Sequence, residues 1–512
     1  MLISVDNLRW WLSLITVPSD NTFPIFKNMI YNQSWQVQTR LGVQLFGNSI
    51  WNSPITSYFF FTNNSTGVRM ALCTSWTVMY KYTEWTSTWW SIKTGLTEFE
   101  TDWITRTRWS FAVYKNIVYM CNWVDKYASY DWTNYSEYSA QPKVRYLRNM
   151  WNAIYGAGQD SNASTLYWCT ANWVNAETLD SNNILVWWDD YGKINWIIDI
   201  WESIIVFKNN KIYSITTSWT PTVQPINNQT GWFCNRNLIS SDNWLIYSEL
   251  WWLTKLWQKV WATGAQSLES ASMSYNVNQL LSTINTKRLN YCCWFYNISS
   301  NLYYYSFDNN NWWINNSTIV YSTLTGWRSE YTYPLINDYW YYIDSLWVYH
   351  YLIASAVGWQ FYEIESGFND NWANYECQIK TKEFDAKTPW MFKIYEYIDI
   401  IGYKNQWFDI IVDVILDWET VCTTVIGDTQ TDIAKSPYTI WSSPLWLYPI
   451  WWWLTNTIDI YPYLVRIPIF KLGNKIQFQL TSNSSPAIWT IDKYRINYDK
   501  ENIEVFPYDS YI

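Results

Sequence analysis

Short runs of apolar residues alternate with short polar segments along almost the whole chain. The apolar runs are rich in Ile, Val, Tyr, Phe and Thr, and Asn, Asp and Ser separate them, as in residues 110–121 and 203–215. β-Branched and aromatic residues favour strands, while Asn, Asp and Ser favour turns. We find no long stretch with the apolar spacing of an amphipathic helix. The pattern therefore predicts an all-β fold built from hairpins.

The hairpins recur at a regular spacing. Comparable hairpins lie about 40–50 residues apart, which is the period of four-stranded propeller blades. Residues 51–367 are therefore predicted to form a β-propeller of six or seven blades. Residues 1–50 lack the hairpin pattern and are predicted to be an extended N-terminal arm that leads into the propeller.

The strands predicted after residue 375 are longer than those before it. Residues 408–416 and 475–482 alternate apolar and polar side chains, as in a sheet with one buried and one wet face. Residues 375–512 are therefore predicted to form a separate C-terminal β-sandwich.

Tryptophan stands where a turn-rich β protein normally has glycine. The chain has 43 Trp, only 15 Gly, and no Asn-Gly or Asp-Gly pair. Those pairs are the strongest hairpin signal, because both central residues of a type I′ turn need φ > 0. A bulky side chain is disfavoured there, whereas glycine is not. Nine Asn-Trp or Asp-Trp pairs occur instead, and their tryptophans are Trp103, Trp123, Trp132, Trp173, Trp196, Trp244, Trp312, Trp372 and Trp418.

We interpret most of these tryptophans as glycines of the native protein. The stop codon UGA encodes Trp in one variant genetic code and Gly in another, so use of the wrong code would make this exchange throughout. Trp and Gly together make up about 11% of the chain, which is ordinary for a turn-rich β protein. The alternative is a genuinely Trp-rich chain that stacks sugars on its indoles.

The interpretation predicts where tryptophans lie. Many should be exposed at turns, several with φ > 0, and the doublets Trp187-Trp188 and Trp251-Trp252 should lie at hairpin ends. Fully buried tryptophans would then be the genuine ones, and Trp89 or Trp90 is a further candidate. The expected turn positions are Trp123, Trp132, Trp173, Trp244, Trp372 and Trp418.

Charge and cysteine content narrow the class of protein. Charged residues make up 15% of the chain and the net charge is −9, which argues against a surface that binds nucleic acid. The chain has neither a run of 18 apolar residues nor a basic, apolar start, so we expect no membrane span and no secretory signal. Its eight cysteines are spread over the chain without a CxxC pair, which favours buried free thiols over disulfides.

The sequence offers little catalytic chemistry. His350 is the only histidine, and on a tyrosine-rich strand it is expected to be a packed residue. The pair Asp189-Asp190 could serve a glycosidase, but an acidic hairpin tip is the favoured interpretation. The Gly-rich run 156–161 has no helix pattern after it and is not taken as a phosphate loop. We therefore expect no enzyme activity and assign no catalytic, cofactor-binding or metal-binding residue.

Three segments carry a family resemblance. LRWWLSL, Asn28 and TRLGVQLFG resemble a Gly-Gly-Leu arm followed by an Asn and an Arg-x-Gly step. Residues 187–215 resemble a blade in which an acidic turn precedes a hairpin with the pattern VFK and then IY, and RIPIFKLGNKIQFQLTS resembles a terminal β-sandwich. With Trp read as Gly, this order is similar to the propeller-bearing tail, neck or portal-stabilising virion proteins of tailed bacteriophages.

The resemblance implies a structural virion protein without catalytic activity. It would be assembled in the host cytoplasm, in several copies, with other portal, neck or tail proteins as partners. The alternative function is a surface propeller that binds or hydrolyses carbohydrate, which requires the tryptophans to be real and clustered on one face.

Overall fold

A computed structural model gives the architecture of this chain. In the part of the chain that it describes, the secondary structure comprises 38 strands, the short α-helix α1 (Asn278–Leu281) and a 3₁₀ segment, Thr286–Tyr291. The predicted all-β fold is confirmed. The described residues are 2–5, 25–31, 37–48, 50, 54–83, 88–99, 106–150, 153–159, 161–169, 179, 182–186, 192–200, 203–208, 211–216, 222–227, 244–248, 253–260, 266–272, 278–309, 314–322, 328–333, 335–356, 360–367, 370, 373–385, 391–405, 409–426, 460–482 and 489–499.

The strands before the helix are β1 (Leu2–Val5), β2 (Ile25–Lys27), β3 (Met29–Tyr31), β4 (Val37–Thr39), β5 (Val43–Phe46), β6 (Ile55–Thr62), β7 (Arg69–Ser75), β8 (Val78–Thr83), β9 (Thr88–Lys93), β10 (Ser110–Tyr114), β11 (Ile117–Cys121), β12 (Tyr127–Tyr130), β13 (Tyr135–Tyr138), β14 (Tyr146–Met150), β15 (Ala153–Ala157), β16 (Thr165–Trp168), β17 (Asn182–Leu185), β18 (Ile194–Ile200), β19 (Ser203–Lys208), β20 (Ile212–Thr216), β21 (Val223–Asn227), β22 (Trp244–Ser248), β23 (Leu253–Val260) and β24 (Gln266–Ser272). Those after it are β25 (Cys293–Asn297), β26 (Leu302–Phe307), β27 (Ser317–Ser322), β28 (Arg328–Tyr331), β29 (Ile336–Ile343), β30 (Tyr349–Ser355), β31 (Phe361–Ile364), β32 (Cys377–Lys380), β33 (Lys393–Asn405), β34 (Ile410–Leu416), β35 (Glu419–Ile426), β36 (Ile460–Gly473), β37 (Ile476–Ser482) and β38 (Trp489–Asp499).

Most strands of the central region belong to antiparallel sheets whose strands follow one another in the chain. The strands β6–β9, β10–β13, β14–β17 and β18–β21 form four such four-stranded sheets, and β22–β24 form a three-stranded one. The strands β25–β28 are likewise paired in order, and β29–β31 form a sheet that β5 completes. The first strands of neighbouring sheets contact each other, as β10 contacts β14, and β29 contacts β6. Consecutive four-stranded sheets packed through their inner strands are characteristic of a β-propeller, so the propeller-type fold is confirmed.

Strands from residues 1–50 belong to sheets formed by distant parts of the chain. β1 and β4 both pair with β38, and β2 lies between β28, which is parallel to it, and β32. β5 pairs with β31 in the register Val43↔Ile364. The described part of this segment is therefore not the extended arm that we predicted. The hairpin pattern is weak here because most of these strands have only three or four residues and partners hundreds of residues away.

The C-terminal strands divide between two sheets. One has the strand order β3-β4-β38-β33-β36, and the other continues from β28 through β2 to β32, β37, β34 and β35. Every second residue of β34 is buried, which is the alternation that the sequence predicts for a strand with one covered face. Phe478 on β37 packs edge-on against Tyr494 on β38, with ring centroids 4.7 Å apart. The two sheets therefore contact each other through aromatic side chains.

Tryptophans are frequent among the residues with strained backbone. Five of the twelve non-glycine residues with positive φ in the described ranges are Trp, namely Trp76, Trp123, Trp132, Trp347 and Trp418. The predictions of positive φ at several tryptophans, and of turn positions at 123, 132 and 418, are confirmed. The prediction for Trp244 is wrong, because it begins β22 opposite Trp257. Trp173, Trp372 and the doublets Trp187-Trp188 and Trp251-Trp252 lie outside the described residues.

Candidate functional site around Arg40

A buried arginine joins the N-terminal segment to the region after β31. The guanidinium of Arg40 makes a two-pronged ion pair with Asp370, with Nη1–Oδ1 and Nη2–Oδ2 distances of 2.9 and 2.6 Å. The same group donates through Nε to Asn28 Oδ1 at 2.9 Å and through Nη2 to the carbonyl oxygen of Thr332 at 2.8 Å. Its side chain is 1% exposed. A paired guanidinium in a fixed fork is well suited to hold three chain segments in one geometry.

Aromatic rings enclose this guanidinium. Its central carbon lies 3.9 Å from the ring centre of Tyr375 and 4.5 Å from that of Tyr333. The hydroxyl of Tyr375 donates to the carbonyl oxygen of Arg40. Burial alone would lower the pKa of Arg40, but the charge and hydrogen bonds of Asp370 raise it above its ordinary value. The cation is therefore permanent, and it is held by charge, hydrogen bonds and ring faces together.

Asn28 is the second centre of the junction. Its backbone has a φ of 55° between β2 and β3, a conformation that Asn tolerates better than most residues. Its Nδ2 donates to Thr332 Oγ1 at 2.7 Å and to the carbonyl oxygen of Glu376 at 2.6 Å. Its Oδ1 accepts from Arg40 and from the backbone N–H of Thr332. We call Asn28, Arg40, Thr332, Asp370 and Tyr375 the junction.

His350 lies on β30 between two carboxylates. Its Nδ1 is 2.7 Å from Glu363 Oε1 and its Nε2 is 3.3 Å from Asp344 Oδ2. Burial alone would lower the pKa of His350, but Glu363 and Asp344 raise it above its ordinary value. Its ring also lies 5.7 Å from that of Phe46 on β5. The arrangement fits a charged contact within this sheet, in keeping with the packed role expected from the sequence.

A buried carboxylate that sequence reasoning missed lies at the end of β31. Glu365 has a φ of 56° and accepts hydrogen bonds from the hydroxyls of Tyr304 and Ser300 and from Asn297 Nδ2. Burial raises the pKa of Glu365, although these three bonds oppose that change. The three donors lie on β25, on β26 and in the turn between these strands. Glu365 therefore connects the sheet that contains β25 and β26 to the sheet that β5 completes.

The other residues considered for chemistry lie elsewhere. Asp189-Asp190 is outside the described residues. Gly156 lies inside β15, where an added Cβ would come within 2.8 Å of Leu179, so this position is part of a packed strand. Within the described ranges, no group of three His, Cys, Asp or Glu side chains is placed to hold a metal ion. No helix in those ranges is long and apolar enough to cross a membrane.

Comparisons with known proteins give no family. No protein-family model and no curated protein matches the chain. Solved structures similar to part of the chain include the extracellular domain of a one-component system from B. thetaiotaomicron, with 8% identity and a TM-score of 0.42 over 81% of this chain. This chain spans 58% of that protein. The Pan2 WD40 domain of Neurospora crassa has 8% identity and a TM-score of 0.37, covering 65% of this chain and 95% of that one. YCF48 of Cyanidioschyzon merolae has 9% identity and a TM-score of 0.36, covering 63% and 98%. At these scores the likenesses carry no argument about function.

Proposed function

We propose that this protein is a structural component of a tailed-bacteriophage virion, present in several copies at the tail, neck or portal. The observation that carries the proposal is the junction. Asn28 and Arg40, two of the residues on which the family resemblance rests, bind Asp370 and the segment around Thr332 inside the protein. These residues therefore hold distant parts of the chain together, which supports a structural role.

We propose seven blades and a C-terminal sandwich for the architecture. The blades are the sheets that begin with β6, β10, β14, β18, β22, β25 and β29, and β5 closes the last of them. A closing strand from the N-terminal segment supports this count, because it joins the two ends of the ring of sheets. The contact between Phe478 and Tyr494 supports the sandwich, since it joins the faces of the two C-terminal sheets.

We also propose that the gene comes from a genome in which UGA is read as glycine. The five tryptophans with positive φ support this, because a left-handed backbone costs a side-chain-bearing residue about 1–2 kcal/mol. Trp347 and Trp418 are 71% and 80% exposed, so buried packing does not compensate them.

Quantitative mass spectrometry of purified virions tests the proposed function. We expect peptides of this protein in the purified particles, in stoichiometric amounts with the portal or tail proteins. Absence from purified particles would overturn the proposal. Saturable binding of the recombinant protein to a panel of glycans would instead support the carbohydrate-binding alternative.

A further inference from the structure

A small cavity lies between the first strands of five of the antiparallel sheets. Its walls come from β6, β10, β14, β18 and β29, together with Trp109, which precedes β10. The sheets of a propeller surround a central channel, so we call this space the axial cavity. Its volume is about 30 Å³, which is enough for about two water molecules or one small ion.

Arg148 brings an unpaired positive charge to the axial cavity. It lines the cavity from β14, and its Nε donates to the carbonyl oxygen of Ile197 at 3.3 Å. Its two Nη atoms have neither a hydrogen-bond partner nor an ion-pair partner in the described ranges. Burial lowers the pKa of Arg148, and the charge of Asp199 opposes this change only in part. Arg40, by contrast, holds Asp370 with both of its Nη atoms.

Three other side chains of the cavity wall carry hydrogen-bond donors without acceptors. Tyr58, Trp196 and Trp340 all line the axial cavity. The Tyr58 hydroxyl and the two indole N–H groups are buried without a partner among the residues that the structure describes. Burial raises the pKa of Tyr58 well above its ordinary value, so this hydroxyl keeps its proton. Buried polar groups without a partner are rare, and a bound ion or water is one explanation for them.

A second arginine lies beside the axial cavity. Arg108 precedes Trp109 of the cavity wall, and its Nη2 donates to the carbonyl oxygen of Asn337 at 3.2 Å. Its guanidinium carbon lies 4.6 Å from the ring centre of Tyr291. In the described part of the chain its Nη1 is buried without an acceptor. Arg108 therefore adds a second positive charge with a free donor to this part of the protein.

One carboxylate in the cavity wall limits the charge of an occupant. Asp338 is 3% exposed and lines the axial cavity, and its Oδ1 accepts from the backbone N–H of Tyr339 at 3.0 Å. Its negative charge repels a doubly charged anion more strongly than a singly charged one. The volume of the cavity likewise suits an ion of one or few atoms.

We propose that the axial cavity binds one small, singly charged anion such as chloride, through Arg148 and the donor groups of Tyr58, Trp196 and Trp340. The ion neutralises the guanidinium and gives the free donors an acceptor, and it connects the first strands of four sheets. The site uses Trp196, which is 4% exposed, as a genuine tryptophan, in keeping with the sequence-based expectation for buried ones. The inference goes beyond the proposed function and does not depend on it.

NMR line broadening of chloride by the full-length protein tests the proposal, with ionic strength held constant by the larger anion gluconate. We expect saturable broadening with the parent protein. Binding to Arg148→Met should be at least tenfold weaker, because a charged hydrogen-bond donor is lost. Arg106→Met is the matched control, because Arg106 pairs with Glu98 at the surface, and it should bind chloride as the parent does. No saturable broadening, or equal affinities of the two variants, would overturn the inference.

Two further measurements keep the test independent of the folding of Arg148→Met. Trp196→Phe removes the indole N–H and keeps an aromatic ring, so chloride should bind about two- to tenfold more weakly, whereas Trp90→Phe at an exposed position should leave binding unchanged. Crystals of the parent protein grown in bromide should show an anomalous peak within hydrogen-bond distance of Arg148 Nη. Bromide bound only at the protein surface would overturn the inference. Displacement of chloride by sulfate with equal affinity would overturn the assignment of a small, singly charged ion.

Discussion

Replacement of Arg40 by methionine should destabilise the protein strongly. The variant keeps much of the side-chain volume and removes the cation, so Asp370, whose side chain is 10% exposed, is left without its ion-pair partner. Asn28 Oδ1 and the carbonyl oxygen of Thr332 also lose a donor. Removal of one partner of a buried ion pair costs about 3–5 kcal/mol, and we expect a decrease of that order in the free energy of unfolding.

A surface arginine provides the matched control. Arg106 pairs with Glu98 at 2.8 Å, but its side chain is 32% exposed, and exposed pairs contribute about 0–1 kcal/mol. Urea unfolding, followed by far-ultraviolet circular dichroism, should place Arg40→Met far below Arg106→Met in stability. The double variant Arg40→Met with Asp370→Leu should recover part of the loss, because no buried charge remains unpaired. Equal, small losses for Arg40→Met and Arg106→Met would refute the structural role that we assign to the junction.

Three further predictions concern turns, pH and close packing. Trp418→Gly should raise the free energy of unfolding by about 1 kcal/mol, because residue 418 has a φ of 80°. Trp90→Gly, at an exposed position inside β9, should lower the free energy of unfolding by about 0.5–1 kcal/mol. If urea unfolding gave Trp418→Gly and Trp90→Gly changes of the same sign, backbone strain at residue 418 would not be the cause. Because the pKa of His350 is raised, its charged contact contributes fully to the free energy of unfolding below the ordinary pKa of 6.5, and this contribution is lost as pH rises through the folded value. The difference in free energy of unfolding between the parent protein and His350→Gln, measured from pH 5 to 9, should therefore shrink as pH rises. A constant difference would exclude the charged contact. Gly402→Ala should lower the thermal midpoint more than Gly473→Ala, because its Cβ would lie 1.9 Å from a backbone oxygen whereas the Cβ at 473 meets a side chain; the reverse order would be inconsistent with this packing.

The local part of the fold could be predicted from the sequence. The run 110–121 forms the hairpin β10–β11 with the register Ser110↔Cys121, because two β-rich stretches flank a short polar turn. Hairpins such as this one can be predicted from the residue pattern of about a dozen consecutive residues. The antiparallel meanders of the central region follow from this local pattern, and their first strands pack together because each sheet has an apolar face to bury.

The pairings of residues 1–50 could not be predicted in the same way. β2 has three residues, and its antiparallel partner begins at Cys377. A strand this short has too little alternation to identify a face or a register. The short stretch reads as irregular in the sequence, although both of its edges are hydrogen-bonded in the structure.

The junction could be predicted only in part. The resemblance drew attention to Asn28 and Arg40, but nothing near them in the sequence points to Asp370, which is 330 residues further along. An arginine near a turn does not by itself reveal which of many carboxylates it pairs with. For His350, the partner Glu363 could have been considered, because β30 and β31 are consecutive strands and Leu352 pairs with Glu363.

The pairing of β1 with β38 has a consequence for the synthesis of the chain. Residues 2–5 leave the ribosome long before their partners, residues 494–497. At roughly 5–20 residues per second, synthesis of the chain between them takes on the order of 25–100 seconds. During that time the strands of the central sheets can form, while the N-terminal strands expose unpaired edges that invite pairing with other nascent chains. The exposure of these edges therefore lasts until β38 has been synthesised, and slower translation of the segment that leads to β38 should increase aggregation.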